Sequence, residues 1–249
     1  MYDPLPMQTP SNERARMAQT RARSYALLAN GWGYPDESLF TLFVDCEHSS
    51  LAPELSLEEL RTSHARLFGH SVRGTCPPYE LEYGRSEIIQ QTAELADLTG
   101  FYKAFGMNMS ESAFERPDHV SVECEFLGIL CAKEAWGRQH SAAELTETCA
   151  DAQRLFLRDY LGRWLPALAH RVRKAEPASF YGRLASFAAS FIADECRRFD
   201  IEVGPQWLEL RPVDPARDAA IDCETAGCSV ATANQLVQIG IESQTSGER

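Results

Sequence analysis

Chemically versatile side chains gather in two short stretches of this 249-residue chain. The first is Cys76-Pro77-Pro78-Tyr79-Glu80-Leu81-Glu82-Tyr83-Gly84. Its two prolines hold the backbone extended, because each ring locks φ and pushes the preceding residue out of the α region. Tyr79 and Tyr83 then alternate with Glu80 and Glu82, so rigid aromatic faces lie beside carboxylates. That surface suits an arginine-bearing peptide, through stacking and charge-assisted hydrogen bonds. The plainer alternative is a helix connector whose tyrosines plug a gap in the core. The second stretch is Pro117-Asp118-His119. Pro117 is expected in a first helical turn, where its missing amide proton is no loss, with Asp118 favourably placed against the helix dipole. Glu123 and Glu134 follow His119 on the same helix, where a carboxylate at helical spacing can orient the ring or extend an anionic surface. Asp118-His119 can also be no more than a helix start with an exposed histidine; if the chain has a peptide site, its candidate residues are Tyr79, Glu80, Tyr83, Asp118, His119 and Glu123. Such a site includes no catalytic group, metal ligand or cofactor.

Rival chemistries lack their residues. A two-metal helical phosphohydrolase needs His and Asp ligands on facing helices, and Asp118-His119 has no second His-rich partner in register. A prenyl-type synthase needs an Asp-rich DDxxD run for magnesium, and no P-loop pattern marks a nucleotide site. Cys223 and Cys228 alone leave a zinc site short of ligands, with Cys46 and His48 far off in sequence. His64 falls on an apolar stripe without a second ligand-type residue one turn away, as a core histidine does. An all-α metal-dependent hydrolase is thus a weaker alternative than a helical protein-interaction adaptor.

The positioning elements read as helices throughout. Ala plus Leu outnumber Val plus Ile roughly threefold, which favours helices over strands. Helices are expected over 12–30, after an Asp36 cap, from a Ser56-x-x-Glu59 capping box to Gly69, and over 86–105 with Gly106 as the residue beyond the end. A helix over 118–138 is apolar nearly all round and belongs at the centre of a bundle. Ser141-x-x-Glu144 is expected as a second capping box, opening a helix that reaches Leu161, with a break or kink marked by Trp164 and Pro166. A shorter helix to Lys174 and a last one over 178–199 complete the set. The compact part is 12–203, with subdomains of about 12–106 and 117–203. Residues 204–249 form an irregular extension, with 243–249 expected to be disordered.

Charge and composition narrow the partners. A formal net charge of −12 argues against nucleic acid and favours a basic peptide. The first ten residues show no secretory pattern, and nowhere do roughly 18 apolar residues run together to span a bilayer. Eight cysteines without paired spacing suit a reducing compartment, hence the cytoplasm.

The ordered set Pro77-Pro78-Tyr79-Glu80, Tyr102-Lys103-Ala104-Phe105-Gly106, Pro117-Asp118-His119, Glu123, Glu125-Phe126-Leu127 and Lys133-Glu134 resembles the TorD/DmsD/NarJ family of redox-enzyme maturation chaperones, over about residues 20 to 200. The resemblance implies an all-helical bundle with N- and C-terminal subdomains joined by a hinge, monomeric or domain-swapped. It implies a cytoplasmic chaperone that binds the twin-arginine leader or apo form of a molybdenum oxidoreductase catalytic subunit and supports molybdenum cofactor insertion before export. By position, Tyr79 and Tyr83 fall among the aromatic residues of the family's peptide-binding region, and Asp118-His119 match its Asp-His pair. Leu81 stands where many members have serine, and the extension after Phe199 is longer than in short members.

Overall fold

Helix-favouring composition becomes helix nearly everywhere in the computed structural model, which describes residues 10–44, 49–69, 74–84, 88–109, 115–212 and 240–241. Eight α-helices occur among these residues: α1 (Pro10–Trp32), α2 (Ser38–Val44), α3 (Leu57–Phe68), α4 (Ile88–Ala104), α5 (Val120–Gln139), α6 (Ala143–Asp159), α7 (Leu161–Ala175) and α8 (Phe180–Arg198). The only paired strands described are two residues long, Met107–Asn108 against Gly240–Ile241. The fold is all-α, as the composition implied. Ser86, the Cys46/His48 pair, Cys223, Cys228 and the tail over 243–249 lie outside the described residues.

Local chemistry explains most boundaries. Ser56 and Glu59 form the reciprocal capping box at α3, and Asp36 accepts the Ser38 amide at 2.8 Å just before α2. Gly69 and Gly106 both have positive φ beyond their helices, a backbone that glycine adopts without strain. Three expectations are corrected. Ser141 does not cap α6: it has φ 57, and Ala142 is the N-cap without a side-chain bond. The α5–α6 turn is so tight that the Ala142 amide donates back to the Gly137 carbonyl at 2.8 Å, which moves the helix start past the serine. Pro166 does not break its helix but lies inside α7, and the break falls at Tyr160. Proline leaves the carbonyl four residues earlier without a donor, and the Gly204 amide supplies one to Gly162 at 3.0 Å. Finally, α5 starts at Val120 with His119 as its N-cap, so Pro117 and Asp118 precede the helix instead of forming its first turn.

Helix α5 is the spine of the bundle. It packs against α1, α6 and α7, and its buried face includes Val120, Val122, Phe126, Leu127 and Leu130. Helix α1 runs antiparallel along it: Arg21 meets Glu134, while Tyr25 lies beside Gly128. A Cβ at Gly128 would stand 3.3 Å from the Tyr25 Cβ, so glycine sets that close approach. Tyr102 of α4 and Phe156 of α6 pack tilted against Phe126 at ring distances of 4.8 Å, fastening both helices to the spine. A buried ionic network crosses the other side. The Arg21 guanidinium reaches Glu134 at 3.2 Å and Glu195 at 3.0 Å and also bonds Gln153, tying α1, α5, α6 and α8 together. Burial opposes ionisation of Glu134, yet Arg21, Gln153 and Arg138 hold its carboxyl below the usual range.

Candidate peptide-binding site

The two stretches singled out in the sequence are zipped together by their backbones. Extended by its prolines, the first chain pairs Tyr79 with His119 in an antiparallel bridge. The Glu80 amide donates to the Asp118 carbonyl and the Val120 amide to the Pro78 carbonyl, each at 2.9 Å. The loop then makes a single 3-10 turn, Glu80–Glu82. Other residues of the ordered motif set hold this junction from outside. The Tyr102 hydroxyl donates to the Pro117 carbonyl at 2.9 Å, and Lys133 of α5 donates to the Phe105 carbonyl at 2.9 Å, just past the end of α4.

Each candidate side chain has a definite place. Tyr79 is half-buried: its hydroxyl donates to Glu115, its ring meets His119 edge-on at 4.9 Å, and the Arg116 guanidinium lies over it at 4.7 Å. Asp118 is fully buried. Its carboxylate takes two bonds from Arg116, one of them at 2.9 Å, and a third from the Leu81 amide at 3.2 Å. His119 caps α5 by accepting the Ser121 amide at 3.2 Å. Burial lowers its pKa, against the opposing pull of Glu115 and Asp118, so a neutral ring accepts that bond. Glu123 faces Trp164, whose indole donates to it at 3.2 Å, and its second oxygen has no hydrogen-bond partner among the described residues. Burial, and then Glu80, push the Glu123 carboxyl well above the usual range. Tyr83 is half-buried, with its ring 5.2 Å from that of Trp164. Glu80, also half-buried, is pushed up to about 8 by burial, which Arg163 only partly offsets.

The structure thus brings the six residues into one cluster but corrects their expected presentation. By sequence, Glu82 is a carboxylate beside the aromatic faces and Asp118 a residue of the peptide site, both expected to face an incoming segment. Both carboxylates instead turn inward onto arginines, Asp118 onto Arg116 and Glu82 onto Arg211 at 3.2 Å. The reason is energetic: a buried carboxylate without a partner costs several kcal/mol, so each is closed by a guanidinium. Glu134 does not orient His119; it belongs to the Arg21 network. Of the six candidates Tyr79, Glu80 and Tyr83 stay half-buried, whereas Asp118, His119 and Glu123 are buried. Sequence reasoning missed Arg116, Trp164 and Arg211. Arg116 stood in view two residues before Asp118, whereas Arg211 lies 129 residues from Glu82, beyond any local pattern.

The family description "Nitrate reductase delta subunit" matches residues 36–170, more than half of the chain and all six candidate residues. The chain belongs to the nitrate reductase delta subunit family. It is 28% identical over 203 residues to the perchlorate reductase assembly chaperone protein of Dechloromonas aromatica, covering 72% of this chain and 90% of that one. It is 30% identical over 163 residues to the chlorate reductase assembly chaperone protein of Ideonella dechloratans, covering 62% and 78%. It is 30% identical over 165 residues to the selenate reductase assembly chaperone protein of Thauera selenatis, covering 63% and 79%. Membership of the nitrate reductase delta subunit family places the chain among redox-enzyme maturation chaperones, as its motif set implied, and not among enzymes. No helix among the described residues is long and apolar enough to cross a membrane.

Proposed function

We propose that this chain is the dedicated cytoplasmic chaperone of one molybdopterin-dependent reductase, binding the catalytic subunit's twin-arginine leader or its apo form and supporting cofactor insertion before export. The names of its relatives, chaperones of perchlorate, chlorate and selenate reductases, support a reductase client. The observation that carries the leader reading is the Tyr79–Glu80 rim. The Tyr79 ring already accepts one guanidinium, that of Arg116, on its face, and Glu80 beside it is a carboxyl whose charge is poorly compensated. An incoming arginine would supply the compensation, and its planar fork matches a carboxylate better than an ammonium does. Micromolar binding corresponds to about −8 kcal/mol, within reach of a few aromatic anchors and one or two arginine contacts. No bond is made or broken, and the site residues act by shape and charge.

Titration calorimetry with a synthetic twin-arginine peptide and its twin-lysine counterpart tests this reading. The arginine peptide should bind at least about tenfold more tightly, which is about 1.4 kcal/mol. Binding of neither peptide, with the client subunit still captured from its own cell, would leave an adaptor without an export role.

A further inference from the structure

The segment after α8 returns to the Pro-Pro loop and docks on it. Its anchor is Gly204, whose amide takes the Gly162 carbonyl that Pro166 leaves free. A Cβ there would come within 2.2 Å of the Arg163 carbonyl oxygen, so only glycine allows the approach. The segment then crosses α7, where the Arg171 guanidinium lies 4.5 Å over the Trp207 ring and donates to the Leu208 carbonyl at 2.7 Å. Beyond this it pairs with the loop as an added strand. Tyr83 and Leu210 form an antiparallel bridge. The Gly84 amide donates to the Glu209 carbonyl at 2.8 Å, and the Arg211 amide to the Glu82 carbonyl at 2.9 Å. The Arg211 side chain ends on the Glu82 carboxylate at 3.2 Å, with both groups buried.

What docks is an extended stretch, Gln206-Trp207-Leu208-Glu209-Leu210-Arg211, joining aromatic and aliphatic side chains to one arginine. Its attachment is backbone edge plus guanidinium-carboxylate, the pattern of strand addition, in which main-chain bonds give affinity and side-chain pockets give specificity. The attachment is also shallow. From Glu202 to Pro212 only Arg211 is buried, and Trp207 is 56% exposed, so little apolar surface opposes release. Segments held by few buried contacts open far below the global unfolding free energy.

We infer that the Glu82–Gly84 edge is a receptor for extended arginine-bearing segments, and that residues 204–212 are its built-in occupant, displaced when an arginine of the client segment takes over the Glu82 carboxylate. This inference rests on the leader-binding reading above and adds to it the mode of binding, strand addition, and a competitor carried in the same chain. Occupancy by Arg211 keeps Glu82 compensated when no client is present. It also makes the client's measured affinity the difference between two binding events.

The test uses the full chain, a fluorescent twin-arginine peptide, and the variants Arg211→Ala and Trp207→Ala. Trp207→Ala removes an exposed contact and leaves the Glu82 pair in place, so it serves even if Arg211→Ala folds poorly. Both variants should bind the probe at least fivefold more tightly than the unaltered chain, and an unlabelled peptide of residues 204–212 should displace it. Hydrogen exchange of the complex should show the Arg211 amide exposed while the Gly84 amide stays protected by the incoming strand. Equal or weaker binding by folded variants, or continued protection of the Arg211 amide in the complex, overturns the inference while the leader reading stands. Failure of every form of the chain to bind the probe overturns both.

Discussion

Glu80→Gln should make the chain more stable at pH 8 and change it little at pH 5. In the folded chain burial pushes the Glu80 carboxyl up from 4.5 to about 8, with Arg163 opposing and Asp118 and Glu94 adding to the rise. Between those two values the folded state holds a proton that the unfolded state has released, so stability falls as pH rises through this window. Below pH 4.5 both states are protonated and the penalty vanishes; above pH 8 it is complete. At about 1.4 kcal/mol per pH unit the full window amounts to about 5 kcal/mol, an upper bound that solvent at the half-buried loop cuts to about 2 kcal/mol. Glutamine keeps the shape of the neutral acid and has no proton to lose. Urea unfolding of both proteins from pH 5 to pH 9 measures the difference, which includes the relief of Glu123, whose carboxyl Glu80 helps to push up; titrating groups away from this pair cancel. The gap should open with pH and flatten above pH 8. A gap that does not change with pH would mean that the Glu80 carboxyl is solvated like any surface acid, and the account of the rim would be wrong.

Asp118→Ala strips Arg116 and the Leu81 amide of their shared acceptor and should cost about 3 kcal/mol in urea unfolding, as loss of one partner of a buried pair does. Arg21→Met leaves Glu134 and Glu195 buried without the Arg21 guanidinium and should cost about 3–5 kcal/mol, with a loss that grows as pH rises and Glu134, which Arg21 helps to hold ionised, gives up its proton. Burial pushes the Cys76 and Cys196 thiols up to about 11 and Cys131 to about 12. Mass spectrometry after iodoacetamide treatment at pH 8 should therefore find these three unmodified in the native chain and modified in urea, because the thiolate is the nucleophile. Labelling of any of them at a free-thiol rate would refute the burial.

Much of this architecture could be read from local pattern, and what could not be read shares one cause. The Ser56–Glu59 box was legible because both partners lie within one turn. The same pattern at Ser141 misled, since the α5–α6 turn fixes the backbone there before the serine can act. Pro166 looked like a break because the donor that rescues the Gly162 carbonyl comes from Gly204, 42 residues further along the chain than Gly162. The candidate cluster itself was visible, as Pro77-Pro78 and Pro117-Asp118-His119 announce unusual backbone. Which way its carboxylates face was not, because that depends on arginines brought in by the fold. Arg116 serves Asp118 from next door, but Arg211 reaches Glu82 only after α8 has returned the chain to the loop.

Proton release on leader binding tests the central claim most directly. At pH 7 a Glu80 carboxyl with a pKa near 8 is mostly protonated, and an arginine bound to it must expel that proton. Calorimetry of the twin-arginine peptide in two buffers of different ionisation enthalpy should report net proton release on binding at pH 7, falling towards zero in Glu80→Gln. Tight binding with no proton released, or the same release from Glu80→Gln, would contradict the claim that the leader's arginine meets Glu80.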